Sequence, residues 1–168
     1  MKKYIVINGT MGAGKTTIGR RISELLGCAA FIDGDFVVEL YPFIGIEETM
    51  FMQRDNIFHM SKNYYNFDKC DSVVLSWTMD EVGADIIISE MSKLNFQVYH
   101  FVLTCSSEVL SERWHNDNTC DWRTNENLSM AIKILNEFNN RTDCIFIDTS
   151  ELSIDMVAKE IIERVCAK

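Results

Sequence analysis

The sequence predicts one α/β domain built on a parallel β-sheet, and three observations support this fold class. Short apolar runs that do not alternate with polar residues recur along the chain, as in strands covered on both faces. Segments with helical periodicity separate these runs, which is the pattern of βαβ units. A glycine-rich loop joins the first run to the first helical segment. With 168 residues, 47% of them hydrophobic, the chain can form one core but not two comparable domains.

The predicted strands are rich in valine, isoleucine and phenylalanine, the residue types that favour β-structure. In chain order they are Tyr4–Asn8, Ala29–Asp33, Ser72–Ser76, Gln97–Leu103 and Cys144–Ile147. Because a helical segment follows each of the first four, we expect the strands to pair in parallel.

The predicted helices show apolar residues at helical spacing, and some have recognisable ends. In chain order they are Lys15–Leu26, Glu47 to about Asn66, Glu81–Leu94, Ser107–His115, Asn125–Phe138 and a last helix from near Ser153. Gly27 ends the first helix as a C-cap, and Asp80 precedes the third as an N-cap. The last helix carries its apolar residues on one stripe, at Ile154, Val157, Ile161 and Val165.

The charge balance restricts the partners that the protein can have. Lysine and arginine number 16 against 25 aspartate and glutamate, so the formal net charge is −9. Duplex nucleic acid and anionic membranes bind basic surfaces, so we expect neither as a partner. The apolar run Tyr4–Ile7 is too short for a signal peptide, and no run approaches the length of a membrane span. We therefore expect a cytoplasmic protein.

The residues Gly9-Thr10-Met11-Gly12-Ala13-Gly14-Lys15-Thr16 match the phosphate-binding pattern G-x-x-x-x-G-K-[ST] between a predicted strand and a predicted helix. The loop amides and the helix N-terminus form an anion site for the β-phosphate. Lys15 would reach the β- and γ-phosphates, and the Thr16 hydroxyl would bind Mg²⁺. We expect Gly9–Thr16, together with Thr17, to bind the nucleotide. The alternative is a glycine-rich turn in which the Lys-Thr pair occurs by chance.

Two carboxylates, Asp33 and Asp35, end the second predicted strand beside this loop. Parallel sheets present ligands at the carboxyl ends of their strands. One acid can hold Mg²⁺ through water while the other orients or deprotonates an acceptor hydroxyl. The alternative is structural, with Asp35 capping a helix and Asp33 satisfying a turn.

The end of the third strand argues against motor ATPases and switch GTPases. Ser76-Trp77-Thr78 occupies the place where many motor-type ATPases carry an acidic residue. The guanine-reading pattern Asn/Thr-Lys-x-Asp does not occur in the sequence either, so we expect ATP rather than GTP.

Two arginines flank a polar stretch that has no hydrophobic periodicity. Arg113 and Arg123 bracket a candidate lid at about residues 114–123, which would close over the γ-phosphate and exclude water. The alternative is surface ion pairing, for Arg113 with Glu112 or Asp117. The loop 148–153 after the fifth strand contacts the adenine edge or is only a turn with a helix cap.

These motifs together resemble the P-loop kinases of small molecules, which include shikimate, gluconate, nucleoside monophosphate and chloramphenicol kinases. The resemblance rests on the phosphate loop, Asp33-x-Asp35, the two lid arginines and the loop Ile147-Asp148-Thr149-Ser150, and it spans nearly the whole chain. Ile7-Asn8-Gly9 and the stretch 100–104 are especially similar to tunicamycin-resistance-type P-loop proteins.

The resemblance implies a three-layer α/β/α fold with a five-stranded parallel sheet of order 2-3-1-4-5, and ATP with Mg²⁺ as the phosphoryl donor. It places Thr16 on the metal, Asp33 near it through water, Asp35 at the acceptor and Lys15 on the phosphates. Arg113 would be the lid arginine nearest the phosphates. It also implies one P-loop kinase-like domain over residues 1–168, with a helical insertion at about 36–67 that covers the acceptor.

Two departures from the family patterns argue against particular acceptors. Ser76-Trp77-Thr78 replaces the Gly-Gly element of shikimate kinases, and Val38-Glu39-Leu40-Tyr41-Pro42 lacks the histidine of gluconate kinases. The insertion is rich in aromatic residues, which form either a core or a pocket for a ring-containing acceptor. Its polar candidates are Arg54, Asp55 and His59.

We therefore expect an ATP-dependent phosphotransferase that phosphorylates a hydroxyl of a small molecule, such as a nucleoside-like compound, a metabolite or an antibiotic. Lys15, Asp35, Arg113 and Arg123 would be its catalytic residues. The alternative is an ATP-binding resistance or sensor protein that binds its ligand without phosphoryl transfer. A nucleic-acid end kinase needs a basic groove, which the composition does not supply. The chain would act as a monomer or homodimer.

Overall fold

The computed structural model describes residues 1–117, 123–138 and 144–167. Five parallel strands form one sheet in the order β2-β3-β1-β4-β5. The strands are β1 Lys3–Gly9, β2 Ala29–Asp33, β3 Ser72–Ser76, β4 Gln97–Thr104 and β5 Ile145–Asp148. The predicted fold class and strand order are thus confirmed.

Helices pack on both faces of this sheet. They are α1 Lys15–Leu26, α2 Glu47–Asn66, α3 Glu81–Lys93, α4 Ser107–Asn116, α5 Asn125–Phe138 and α6 Ile154–Cys166. These bounds agree with the sequence prediction to within a residue or two. A short 3-10 turn, Gly34–Phe36, follows β2.

Alternate side chains of β1 point to opposite faces of the sheet and belong to two separate core clusters. Tyr4 and Val6 face a cluster with α2 and α3, whereas Ile5 and Ile7 face a cluster with α1 and α6. Both sets are fully buried, because helices cover both faces of a parallel sheet. A third, smaller cluster joins α4 to α5 through buried side chains that include Trp114.

This architecture brings the carboxyl ends of the strands to one edge of the sheet, where the phosphate loop and the carboxylates meet. The interior of the expected lid, residues 118–122, lies outside the described residues. Within the described ranges, no helix combines the length and the apolar character that crossing a membrane requires.

Candidate active site

The phosphate loop occupies the turn between β1 and α1. Gly12 and Gly14 have φ angles of +82° and +91°, a left-handed conformation that side chains disfavour and that this curled loop requires. The N-terminus of α1 receives no side-chain cap, and its first turn carries no acidic residue. Its amide groups therefore form an anion site with the positive end of the helix dipole.

Lys15 lies across this loop and is 8% exposed. Its Nζ donates a hydrogen bond to the Thr10 carbonyl oxygen at 2.9 Å. Burial lowers the pKa of the Lys15 ammonium to about 8, and Arg123 acts in the same direction, while Asp35 and Asp33 oppose the shift. Asp35, Asp33 and Arg123 therefore all lie within electrostatic range of Lys15.

Thr16 and Asp33 form the second part of the site. Thr16 Oγ1 donates to Asp33 Oδ2 at 2.8 Å, and Asp33 Oδ1 accepts from the Asp35 amide at 3.2 Å. Ser76 pairs with Asp33 in the sheet register, and its buried hydroxyl has no hydrogen-bond partner in the part of the chain that the structure describes.

These groups fit the Mg²⁺ that the fold family implies. A hydroxyl, a carboxylate and an orphaned hydroxyl are hard oxygen donors, the type that Mg²⁺ prefers. Among the described residues, no group of three or more histidine, cysteine, aspartate or glutamate side chains is arranged to hold a metal ion. If Mg²⁺ binds here, Thr16 would hold it directly and Asp33 through water, and it would supply positive charge beside the phosphate loop.

Asp35 differs from Asp33 in its environment. Asp33 is 9% exposed and hydrogen-bonded, whereas the Asp35 side chain reaches solvent from the 3-10 turn. Nearby protein atoms desolvate the Asp35 carboxyl and raise its pKa; Asp33 adds to this rise and Lys15 opposes it. The two acids thus have the separate environments that a division of roles requires.

Arg123 lies beside the phosphate loop. Its Nη1 lies 3.7 Å from the position that a Cβ on Gly12 would occupy. The guanidinium pairs with Asp117 at 2.6 Å and lies over the Trp114 ring, 5.0 Å from its centroid. The family resemblance implies that Arg113 is the arginine nearest the phosphates, and this stays a prediction.

Arg113 instead contacts the loop after β5. Its Nη1 and Nη2 donate to Thr149 Oγ1 at 2.9 Å and to the Thr149 carbonyl oxygen at 2.7 Å. Thr149 is buried, and its amide and hydroxyl both donate to the Thr104 carbonyl oxygen, at 2.8 and 3.0 Å. Arg113 therefore braces the loop that the sequence associated with adenine.

Sequence reasoning missed the role of Asn8, which is fully buried just before the phosphate loop. Its Oδ1 accepts from the Gly9 and Met79 amides at 2.8 and 3.0 Å, and its Nδ2 donates to the Met79 carbonyl oxygen at 3.1 Å. The side chain thus joins the loop after β3 to the phosphate loop. The available signal was a polar residue at the end of an otherwise apolar strand.

Trp77 directly follows β3 and packs on the turn after β2. A Cβ on Gly34 would lie 2.2 Å from the Trp77 Cγ, so the indole covers the turn between Asp33 and Asp35. Trp77 is 7% exposed and also belongs to the core cluster of α2 and α3.

Part of the aromatic insertion packs in the core and part is exposed on the surface, so the core interpretation is confirmed for the first part and the pocket stays a prediction. Phe58, Tyr64 and Tyr65 pack against the core cluster of α2 and α3. Others are exposed, namely Phe36, Tyr41, Phe43, Phe51 and Phe67. His59 is exposed and pairs with Asp55 on its own helix at 3.4 Å, while Arg54 is half-buried.

Comparison with solved structures shows the same fold in a tunicamycin resistance protein and in a gluconokinase. The Deinococcus radiodurans tunicamycin resistance protein superposes with a TM-score of 0.74 at 20% identity, covering 100% of this chain and 98% of that one. A gluconokinase from Sinorhizobium meliloti gives 0.71 at 18% identity, covering 97% and 93%. These identities establish the shared fold alone.

Sequence comparison finds relatives over nearly the full length and a matching family model. A shikimate kinase of Actinobacillus pleuropneumoniae is 29% identical over 179 residues, spanning 98% of this chain and 96% of that protein. The family model described as AAA domain matches residues 5–133, which include the phosphate loop, Asp33, Asp35, Arg113 and Arg123. Because this match covers well over half of its 168 residues, the chain belongs to the AAA domain family of P-loop proteins.

Proposed function

We propose that the protein is a kinase that transfers the γ-phosphoryl group of ATP to a hydroxyl of a small molecule. The observation that carries this proposal is the meeting of Lys15, Asp33, Asp35 and Arg123 around an uncapped, glycine-curled helix N-terminus. The shikimate kinase and gluconokinase likenesses support the reaction class.

The phosphate loop binds the donor. Amide groups at the start of α1 hold the β-phosphate, and Lys15 leaves the Thr10 carbonyl to contact the β- and γ-oxygens. Arg123, whose Nη1 lies 3.7 Å from the position of a Cβ on Gly12, exchanges its ion pair with Asp117 for the γ-phosphate. Arg113 supports the adenine side by holding Thr149. When Mg²⁺ is bound at Thr16 and Asp33, it neutralises charge on the phosphates.

The transfer needs little covalent chemistry from the protein. The acceptor oxygen attacks the γ-phosphorus, the bond to the β–γ bridging oxygen breaks, and ADP leaves. The proton of the acceptor hydroxyl passes to Asp35. Its raised pKa makes this carboxylate a better base than an ordinary aspartate.

A reaction panel tests the proposal directly. The protein is incubated with ATP, Mg²⁺ and, in separate reactions, shikimate, gluconate, nucleosides, nucleoside monophosphates and neutral alcohols. The mass of each acceptor is then measured by mass spectrometry. The expected result is the gain of one phosphoryl group by at least one acceptor. Lys15→Met abolishes the gain, whereas Lys133→Met, at a lysine whose side chain is 78% exposed, preserves it.

The alternative is an ATP-binding resistance or sensor protein without phosphoryl transfer, and the likeness to a tunicamycin resistance protein favours it. It predicts that ATP and a ligand bind in the same panel while every acceptor keeps its mass. That outcome would refute the kinase proposal.

A further inference from the structure

Thr10, the second residue of the phosphate loop, is fully buried. The pattern G-x-x-x-x-G-K-[ST] accepts any residue at this position, so phosphate binding by the loop does not itself require a hydroxyl there. Because the side chain is 0% exposed, its hydroxyl is not offered to a ligand of the loop either. The role of this hydroxyl therefore lies in the contact that it makes inside the protein.

The Thr10 hydroxyl joins the phosphate loop to α5. Thr10 Oγ1 donates a hydrogen bond to the Ala131 carbonyl oxygen at 2.6 Å, across 121 residues of sequence. A carbonyl oxygen has two lone pairs, so that of Ala131 can accept this bond in addition to the one within the helix. The hydroxyl thus fixes the middle of α5 against the loop without interrupting the helix.

The next two residues of the loop lie against the same part of the protein. Met11 packs on the α4–α5 cluster, which is the third core cluster and includes Ala131 and Trp114. A Cβ on Gly12 would lie 3.2 Å from Leu110 and 3.3 Å from Trp114, so the loop backbone approaches this cluster closely. Three consecutive loop residues therefore hold the phosphate loop on α4 and α5, by one hydrogen bond and by packing.

The position of α5 also determines the position of Arg123. Thr124 caps α5, because its hydroxyl oxygen accepts from the Asn127 amide at 3.3 Å and its carbonyl oxygen accepts from the Leu128 amide at 3.0 Å. Arg123 is the residue immediately before this cap, and its guanidinium lies over the Trp114 ring of the α4–α5 cluster. A displacement of α5 relative to the phosphate loop would therefore displace Arg123 with it.

The backbone of Thr10 holds the other cation of the site. The Thr10 carbonyl oxygen accepts the hydrogen bond from Lys15 Nζ at 2.9 Å. One residue thus contacts both the lysine and the helix that follows the arginine. In the proposed mechanism both cations contact the γ-phosphate, and a misplacement of about 1 Å can cost a reaction about a hundredfold in rate. The relative position of Lys15 and Arg123 therefore matters for transfer.

We infer that Thr10 is a positioning residue, whose hydroxyl keeps Arg123 in register with the phosphate loop so that Arg123 and Lys15 meet the same γ-phosphate. For its effect on transfer, this inference rests on the proposed function. It also predicts that the hydroxyl supports a preference of the site for nucleoside triphosphates over diphosphates, which nucleotide binding alone reports. The Thr10 side chain acts through Arg123 and does not touch the nucleotide.

Calorimetry on the full chain with ADP and with the non-hydrolysable β,γ-imido analogue of ATP, each with Mg²⁺, tests the inference. The measured quantity is the ratio of the two Kd values. Arg123→Gln should lower the preference for the triphosphate about tenfold or more, since hydrogen bonds between charged groups are the strong ones. Thr10→Val should lower it about threefold or more, with little change in the Kd of ADP, because Arg123 loses part of that contact. Thr10→Ser, which keeps the hydroxyl, should restore the wild-type ratio.

Two controls separate this role from general damage to the protein. Thr49→Val removes a hydroxyl that donates to the Ile44 carbonyl oxygen, also at 2.6 Å, from a side chain that is 4% exposed, and it should keep the wild-type ratio. In Thr10→Val/Arg123→Gln the ratio should match that of Arg123→Gln alone, because the hydroxyl acts through the arginine. Thr10→Val and Thr10→Ala should unfold at urea concentrations close to that of Thr49→Val, since each loses one buried hydrogen bond.

The inference is overturned if Thr10→Val keeps the wild-type ratio, if it weakens ADP and the analogue equally, or if Thr10→Ser does not restore the ratio. It also fails if the losses add in the double variant, if Arg123→Gln keeps the wild-type ratio, or if neither Thr10→Val nor Thr10→Ala folds while Thr49→Val does. Phosphoryl transfer does not enter these measurements, because the analogue is not hydrolysed. A reaction panel without product refutes the kinase proposal alone, and product with an unchanged ratio in Thr10→Val refutes the inference alone. A wild type that binds neither nucleotide refutes both.

Discussion

Lys15 gives the most quantitative prediction, because its burial couples nucleotide binding to pH. The pKa of its ammonium is lowered from 10.5 to about 8 in the ligand-free protein. The phosphates of bound ATP favour the charged form and raise this pKa again. Binding above pH 8 therefore takes up a proton, and the affinity for ATP falls as the pH rises.

The size of the effect follows from the two pKa values. At pH 9 about nine in ten ligand-free molecules carry a neutral Lys15, so ATP binds about tenfold more weakly than at pH 7. Net proton uptake at pH 9 approaches about 0.9 per ATP bound. The experiment is done with excess Mg²⁺, which keeps the γ-phosphate of ATP ionised at pH 7 as well as at pH 9, so the titration of ATP itself does not contribute.

Calorimetry at pH 7, 8 and 9 in buffers of different ionisation enthalpy measures both quantities. The matched variant Lys15→Arg keeps a permanent charge, so any ATP binding it retains should lose the proton uptake. If the wild type binds ATP with the same affinity at pH 7 and 9 and takes up no proton, Lys15 does not contact the phosphates as argued.

Three further perturbations test other parts of the site. Asp35→Asn should lower turnover by roughly a hundredfold or more while ATP affinity changes little; an equal loss of both would count against an acceptor role. Arg123→Gln should slow phosphoryl transfer more than Arg113→Gln, whose main effect should be on KM for ATP; steady-state kinetics showing the reverse order would contradict the placement beside the phosphate loop. Gly34→Ala places a methyl group 2.2 Å from an indole carbon of Trp77, so it should lower the free energy of unfolding, measured in urea, by roughly 2–3 kcal/mol. The control Gly45→Ala should change this free energy little, because the nearest atom to its new methyl group is 3.4 Å away. Equal urea midpoints would refute that contact.

Elements with strong local signals were predictable. The phosphate-loop pattern, Gly27 and a clear apolar stripe define α1, and its predicted bounds are confirmed. β4 runs one residue further than predicted, to Thr104, because it pairs there with Asp148 of β5. Such pairing depends on a strand more than forty residues away, which local periodicity does not report.

The hydrogen-bond partners of individual side chains were not predictable, because they too are distant in sequence. Arg113 contacts Thr149, which lies 36 residues along the chain, and Asn8 contacts Met79, which lies 71 residues along. Spacing along α2 also did not separate Tyr64, which is partly buried against the core, from the exposed Phe51, since only the tertiary fold decides which part of a long helix meets the sheet. The position of the carboxylates at strand ends was easier to predict, because parallel topology itself brings them to the phosphate loop.

The fate of the γ-phosphoryl group tests the central claim most directly. ATP labelled in its γ-phosphate is incubated with excess protein, Mg²⁺ and the acceptor panel, and the label is followed in a single turnover. The kinase proposal predicts that the label appears on the hydroxyl oxygen of an organic acceptor, and that Lys15→Met leaves it on ATP. Label that stays on ATP, or passes only to inorganic phosphate, with every acceptor present would contradict it.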